Sequence, residues 1–541
     1  MNFPYLFLIC LLATFLRFYQ LGQIPNSVSA DEAAFGYNAY SILSTGRDEY
    51  GQKFPLLFKS FDDHKNPVFV YLLVPDVALF GLNELAIRLP SAIVGVLIIP
   101  LFYLLTKRLT GNETTSFLAA FLAAVCPWLV HYSRLAVDMN TALFFSLLAV
   151  WLFLAARKKN WLYIISALNF SLAFWSYYPA KLWVTLFGIF LVIFRVWQEK
   201  KLNKYIIAGL LIFVFFSFPG FKIFLQGQSS PRAYGISVFS NEDLRIRDAQ
   251  LLAKDIKSGD YLGKLVHNRR LTFLNQFVNG YLEITNPKII FGQDLPNHIQ
   301  SLRLLYLWQI PLIVLGLIVL SQKRKNIFII VSVWLVLGYI PGAITLLPPF
   351  DRRILVNSFP LIFLTVVGLV ELFKFLDKQR YLVRLVSWFT LLLILTFSVT
   401  AFLHFYFDHG RGAVISLWGN GMRELVTATA AEGANYQKVV ISNLLDQPYI
   451  YFLFYEKYPP KQYLAEGGTI SGSVFAKLNR FSNYEFRRIE PGELRANILY
   501  IWPAGEIIPC TQIKKTIYQT NGRPLANIGV WVKEKEDCQP H

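Results

Sequence analysis

Eleven stretches of this 541-residue chain are apolar over about the 20 residues that an α-helix needs to cross a bilayer. They lie near 3–21, 86–105, 116–132, 139–156, 161–178, 181–197, 205–223, 302–321, 327–347, 354–373 and 385–404. Backbone polar groups in hydrocarbon must be satisfied within the segment, so runs of this kind become helices. Basic clusters at Lys107-Arg108, Arg157-Lys158-Lys159, Lys200-Lys201 with Lys204, Lys323-Arg324-Lys325 and Lys374 through Arg384 occupy every second loop. The positive-inside rule places all five in the cytoplasm, with the N-terminus inside and the C-terminus outside. The expected fold is a polytopic α-helical membrane protein of about 11 transmembrane helices. The net charge of +18 is spread through these short clusters, which argues against nucleic-acid binding. The first run lacks a basic n-region and a clear cleavage site, so it reads as a retained helix rather than a signal peptide.

The opposite face then carries the 22–85 segment, His131 to Asp138, Tyr177 to Lys181, a long 224–300 loop, Pro348 to Arg353, and a tail from about 405. The tail turns polar. Lys438–Ser442 and Ile498–Trp502 read as strands, and Asn521-Gly522 as a hairpin turn between Ile517-Tyr518 and Ile528–Val532. The expected organisation is therefore a membrane module, 1–404, and a small extracytoplasmic α/β domain, 405–541. Cys10 and Cys126 fall in apolar runs, while Cys510 and Cys538 lie in the tail, where a disulfide is open to them if that segment is outside.

The first outer segment is the densest in chemistry. Asp31-Glu32 follows the first apolar run, and two adjacent carboxylates at a membrane edge are costly unless solvated or paired. After them come Gly36-Tyr37-Asn38-Ala39-Tyr40, Thr45-Gly46-Arg47-Asp48 and Phe61-Asp62-Asp63-His64-Lys65-Asn66-Pro67. The runs 33–44 and 67–82 suit helices lying in the interface.

The acidic pair after the first helix, the Lys65-Asn66-Pro67 segment and Arg88-Leu89-Pro90-Ser91-Ala92 occur in an order that resembles the GT-C superfamily of polyprenyl-phosphate-sugar-dependent glycosyltransferases. Within it the chain is similar to the protein O-mannosyltransferase and aminoarabinose-transferase-like family with its bacterial relatives. His131-Tyr132-Ser133-Arg134 through Asp138, and Pro348 with Arg352-Arg353, extend the likeness over roughly residues 1–375. The resemblance implies an inverting transfer of a sugar from a polyprenyl phosphate to an acceptor hydroxyl outside the cytoplasm. It implies Asp31 as general base with Glu32 beside it, and Lys65, Arg134 and one of Arg352 or Arg353 on the departing lipid phosphate. Tyr37, Asp63, His64, Asp138 and Tyr178 are the further candidates for substrate contact. Asn66 departs from the proline common in relatives, and His64 from an acidic or aromatic residue. A divalent metal near His64, Asp63 and a later histidine such as His298 stays open, with no cofactor otherwise implied.

Plainer roles compete at each position. Asp31-Glu32 would solvate a helix end, Lys65 would snorkel, Arg134 would anchor an interface, and Tyr177-Tyr178 would belong to an aromatic belt. His131 and His267 read as satisfied surface histidines. The rival function is a transporter or flippase of lipid-linked sugars, but such proteins place ionisable groups near the bilayer midplane. Here the spans are nearly free of charge. The expected partners are a lipid-linked sugar donor, a lipid, glycan or protein acceptor and the membrane itself. The expected location is a bacterial inner membrane.

Overall fold

The computed structural model describes residues 3–61, 63–225, 242–292, 303–345, 351–408, 419–470 and 479–532. Its first ten helices are α1 (Phe3–Phe18), α2 (Ala30–Thr45), α3 (Pro67–Phe80), α4 (Glu84–Thr110), α5 (Glu113–Ala124), α6 (Pro127–Tyr132), α7 (Asp138–Ala155), α8 (Leu162–Phe174), α9 (Tyr178–Glu199) and α10 (Lys204–Leu225). The described chain packs as two compact units that cut across sequence order.

One unit is helical and comprises the residues up to Leu16, Val94–Tyr132 and Met139–Phe402. Among the described residues of the whole chain, seven helices are long and apolar enough to cross a membrane. Each coincides with one of the expected runs. The other four runs hold shorter apolar helices: α1, α5, α8 and Gln309–Lys323. The run 116–132 is not one helix. Pro127 opens α6 after a break at Val125 and Cys126, because proline has no amide to donate and disfavours helical backbone in the residue before it. The 224–300 segment, expected as a loop, contains helices Glu242–Ser258, Tyr261–Val266, Arg269–Ile284 and Pro287–Phe291. Helices Gln309–Lys323 and Ser358–Leu376 approach through reciprocal glycines. A Cβ on Gly316 would fall on the Leu364 carbonyl, and one on Gly368 on that of Leu312. Small residues permit such contact where lipid supplies no hydrophobic drive between helices.

The second unit joins Arg17–Ile93 and Ser133–Asp138 to the tail from Leu403 onward. Among the described residues its sheet has six strands: β3 (Lys438–Ser442), β4 (Asn479–Phe481), β5 (Tyr484–Arg487), β6 (Ile498–Pro503), β7 (Thr511–Tyr518) and β8 (Pro524–Trp531), with β1 (Phe58–Ser60) and β2 (Asp63–Lys65) forming a separate hairpin. The spatial order is β4-β5-β3-β6-β8-β7, with β3 parallel to both neighbours and the remaining pairs antiparallel. The two expected strands and the Asn521-Gly522 hairpin are all present, and Gly522 takes the positive φ of 79° that the turn needs.

Strand β3 reads as continuous Val-Val-Ile because both sheet faces are covered. Val439 and Ile441 join one hydrophobic cluster, and Val440 joins another with Tyr500, Trp502 and Ile508. The first cluster draws heavily on the outer segment: Ala33, Ala34, Phe35 and Tyr37 of α2 pack with the wholly buried run of helix Pro448–Tyr455. Gly36 makes that approach close, since a Cβ there would lie 2.7 Å from Ile87 and 3.0 Å from Phe454. The helices expected at 33–44 and 67–82 are α2 and α3. Thus the first outer segment and the tail, separate along the sequence, share one core. Cys10 and Cys126 are free thiols, Cys126 buried and Cys10 half-buried, and Cys538 lies outside the described residues.

Candidate active site

Asp31 and Glu32 sit in the first turn of α2, where carboxylates are favoured by the helix dipole. Their surroundings differ sharply. Ser29 caps the helix: its Oγ accepts from the Glu32 amide at 3.2 Å, and the Glu32 carboxylate accepts from the Ser29 amide at 3.0 Å, completing a capping box. The other Glu32 oxygen accepts from the Ala136 amide at 2.9 Å and from Arg88 Nε at 3.3 Å. Glu32 is buried with both oxygens engaged, so it ties residues 133–138 to α2.

Asp31 keeps a side chain 38% exposed and meets Lys65 Nζ at 2.6 Å. Lys65 ends β2, and its ammonium lies 4.5 Å from the centroid of Phe35 and 5.2 Å from that of Phe61. Two aromatic faces therefore hold the cation in place. Asn66 stands at the N-cap position of α3 without a side-chain cap bond, and Pro67 at the first helical position starts the helix just after Lys65.

Arg88 has no role in the sequence reading beyond its motif, yet it is the hub of this corner. Fully buried, it donates through Nη1 to the carbonyls of Leu21 at 3.2 Å and Pro25 at 2.7 Å, and through Nη2 to that of Ser27 at 2.6 Å. Five donors in a rigid fork suit this task, which lysine would not perform. An arginine just inside an apolar span was the available signal.

Arg134 is engaged in the same manner. Its guanidinium donates to the carbonyls of Arg17 at 3.0 Å, Tyr19 at 2.8 Å and Ile24 at 2.9 Å, and it lies 5.0 Å from the Phe407 ring centroid. A phosphate contact there would require the guanidinium to abandon carbonyls that it satisfies in a buried site, so the geometry fits a tether. Tyr37 is also buried, donating to the Tyr458 carbonyl at 3.1 Å. Burial pushes its phenol well above the usual tyrosine range. Such a ring is a core residue of the unit. His64 lies on β2 opposite Lys59, Asp63 opposite Ser60, and Asp138 opens α7.

A second acidic pair in the same segment, Asp48-Glu49, is wholly buried. Glu49 accepts from Asn38 Nδ2 at 3.0 Å and from Thr469 Oγ1 at 2.9 Å, joining the segment to the tail. Burial pushes its carboxyl up to about 7, against the two hydrogen bonds that favour the charged form.

In the helical unit, Arg352 and Arg353 line a small cavity of about 20 Å³ with Tyr177, Trp183 and Met139. Arg353 Nη1 donates to Thr345 Oγ1 at 2.8 Å. Asp351, unremarked in the sequence, accepts from the Tyr132 hydroxyl, and burial raises its carboxyl above the usual range. Tyr178 covers the Lys181 ammonium at 5.0 Å together with Trp175 and Phe174, each at 5.3 Å. His131 is buried against Tyr132 and not a surface residue. Among the described residues no three His, Cys, Asp or Glu side chains converge on a metal position, and His298 lies outside those residues.

Residues 64–219 match the family model described as dolichyl-phosphate-mannose-protein mannosyltransferase. An uncharacterized protein of Aquifex aeolicus is 28% identical over 204 residues, 37% of this chain and 40% of that protein. A putative mannosyltransferase of Bacillus subtilis, YkcB, is 28% identical over 169 residues, 30% of this chain and 22% of its own length. The matches thus span less than half of these curated relatives. Among solved structures, ArnT from Cupriavidus metallidurans bound to undecaprenyl phosphate aligns over 98% of both chains at 13% identity, with a TM-score of 0.55. The oligosaccharyltransferase AglB from Archaeoglobus fulgidus, in complex with an inhibitory peptide and a dolichol-phosphate, aligns over 84% of this chain and 63% of its own at 12% identity, with a TM-score of 0.52. Residues 64–219 are therefore similar to the dolichyl-phosphate-mannose-protein mannosyltransferase family, and the chain has the fold that ArnT and AglB display.

Proposed function

We propose that this protein transfers a sugar from a polyprenyl phosphate to an acceptor hydroxyl, with inversion, at the face that bears Asp31. The observation that carries the reading is the Asp31–Lys65 pair: an accessible carboxylate held 2.6 Å from an ammonium that two rings keep in place. The likeness to ArnT, solved with undecaprenyl phosphate, supports a lipid-phosphate donor.

In this reading Asp31 accepts the proton of the acceptor hydroxyl as its oxygen bonds to the anomeric carbon. The bond from that carbon to the phosphate oxygen breaks on the opposite side, and the lipid phosphate leaves with the electron pair. Lys65 meets the charge that develops there, at a site where a fixed cation is worth more than in water. Without donor, Lys65 neutralises Asp31. An arriving phosphate competes for the same ammonium and loosens its hold on the base, so that donor binding precedes activation of the acceptor. Glu32 and Arg134 are positioning residues: Glu32 holds Ser29, Ala136 and Arg88, and Arg134 holds three carbonyls. Arg352 and Arg353 line a cavity of about 20 Å³, room for about one water and not for a phosphate, so they take no part in this reading.

The transporter reading is less well supported, because the ionisable groups described above gather at segment ends and loops and not inside the spans. The test is release of polyprenyl phosphate from a labelled donor by purified protein, across a panel of sugars and acceptors. Transfer that depends on Asp31 is expected. Undiminished transfer by Asp31→Asn would overturn the mechanism.

A further inference from the structure

At the other end of α7 and α9 from the Arg352–Arg353 cavity lies a second basic cavity, of about 610 Å³. Met139 lines the first cavity and Phe153 the second, 14 residues along α7, which is about 21 Å of helix. Arg108, Arg157, Lys158 and Arg195 surround the second cavity, with Phe153 and Phe194 on its apolar wall. We propose that it is a binding site for the phosphate of an anionic phospholipid.

Two of the four cations are fixed by the protein. Arg108 donates through Nε and Nη2 to the Leu154 carbonyl at 3.1 and 2.7 Å, which sets the plane of its guanidinium. Arg195 is buried, 5.7 Å from the Phe153 ring centroid, and bonds Glu199 at 3.1 Å. The other two, Arg157 and Lys158, are exposed, and among the described residues neither has a carboxylate within ion-pair distance. Four cations thus line the cavity, against the single carboxylate of Glu199 that pairs with Arg195. Such an excess in a confined space is relieved by an anion; Arg108 keeps its Nη1 edge beyond the Leu154 bonds, and Arg157 with Lys158 supplies the remaining donors for phosphate oxygens. A neighbouring cavity of about 390 Å³ shares Arg157 and adds Lys200 and Trp197, extending the basic rim.

The apolar wall favours a lipid over a soluble phosphate. α9, which exposes Ile189, Ile193 and Trp197, carries Phe194 of that wall, so that an acyl chain can lie along α9 while the headgroup meets the arginines. Basic pockets between transmembrane helices on the cytoplasmic side bind anionic headgroups in this manner. The cytoplasmic assignment of this end rests on the positive-inside reading. The cavity itself does not, nor does it depend on the proposed sugar transfer.

The test uses full-length protein purified in neutral detergent and titrated with mixed micelles of phosphatidylglycerol, with phosphatidylcholine micelles and inorganic phosphate as separate arms. Thermal stabilisation and retained lipid by native mass spectrometry are read together. Saturable binding of phosphatidylglycerol alone is expected, weakened about tenfold in the Arg157→Ala, Lys158→Ala double variant. The Lys378→Ala, Arg380→Ala variant removes the same charge from an exposed turn that does not line the cavity, and should lose less than about twofold. Equal losses in the two variants would show diffuse attraction and overturn the site. Equal binding of phosphatidylcholine would remove anion recognition, and equal stabilisation by inorganic phosphate would overturn the lipid assignment.

Discussion

The 22–85 segment contains two acidic pairs, Asp31-Glu32 and Asp48-Glu49, whose glutamates are both buried and hydrogen-bonded and whose aspartates differ. Asp31 is open to solvent and held by a lysine, while Asp48 and Glu49 are both sealed from it. Asp48 accepts from the amides of Tyr50 and Gln52, closing a turn, and Glu49 reaches 420 residues along the chain to Thr469. The first pair has a member left over for chemistry. The second spends both members on holding the segment to the tail. A carboxylate pair marks a site only when one member is both accessible and matched by a cation that is itself fixed.

The comparison can be broken at each of its supports. The largest effect is expected from Arg88→Ala, which strips Glu32 of its buried partner and frees three carbonyls, at a cost of roughly 3–5 kcal/mol. Loss of folded protein after extraction, measured by melting, would show it, and a stable variant would contradict the hub. Next comes Glu49→Gln. Below about pH 4.5 the carboxyl is protonated in both folded and unfolded chains. Between about 4.5 and 7 the unfolded chain loses the proton while the folded one keeps it, so stability falls as pH rises through that window. The fall amounts to roughly 3 kcal/mol from this group. Above it the contribution is flat. The variant should flatten the corresponding part of the pH–stability profile; an unchanged profile would assign that dependence elsewhere. The smallest effect is expected from Lys65→Met, which should keep the fold and lower sugar transfer roughly 100-fold. A stronger dependence of that loss on donor concentration would place Lys65 in donor binding as well as in catalysis.

Much of the helical layout was legible because membrane-length apolar runs leave a chain few options. Lys438–Ser442 matches its strand to the residue, for the related reason that a strand covered on both faces must be apolar throughout. Pro127 marks the break between α5 and α6 in the sequence, but hydropathy alone ignores the missing amide. The helices within 224–300 were missed because exposed helices carry little apolar signal. Asp31 and Lys65 were paired through family resemblance, not spacing: they lie 34 residues apart and meet only because β1 and β2 fold back on α2. Nothing local in the sequence places Arg88 on three carbonyls or Glu49 on Thr469. Nor does it reveal that the outer segment and the tail share a core, since such contacts depend on the folded path of the whole chain.

The central claim is that adjacent carboxylates divide the labour, Asp31 for proton transfer and Glu32 for structure. Transfer rate and melting temperature should be measured side by side for Asp31→Asn and Glu32→Gln, each with a labelled polyprenyl-phosphate sugar. Asp31→Asn should lose roughly 100- to 10,000-fold in rate with its melting temperature nearly unchanged. Glu32→Gln should lower the melting temperature and retain more of the rate than Asp31→Asn does. The reverse pattern, with Glu32→Gln stable but inactive and Asp31→Asn active, would contradict the account.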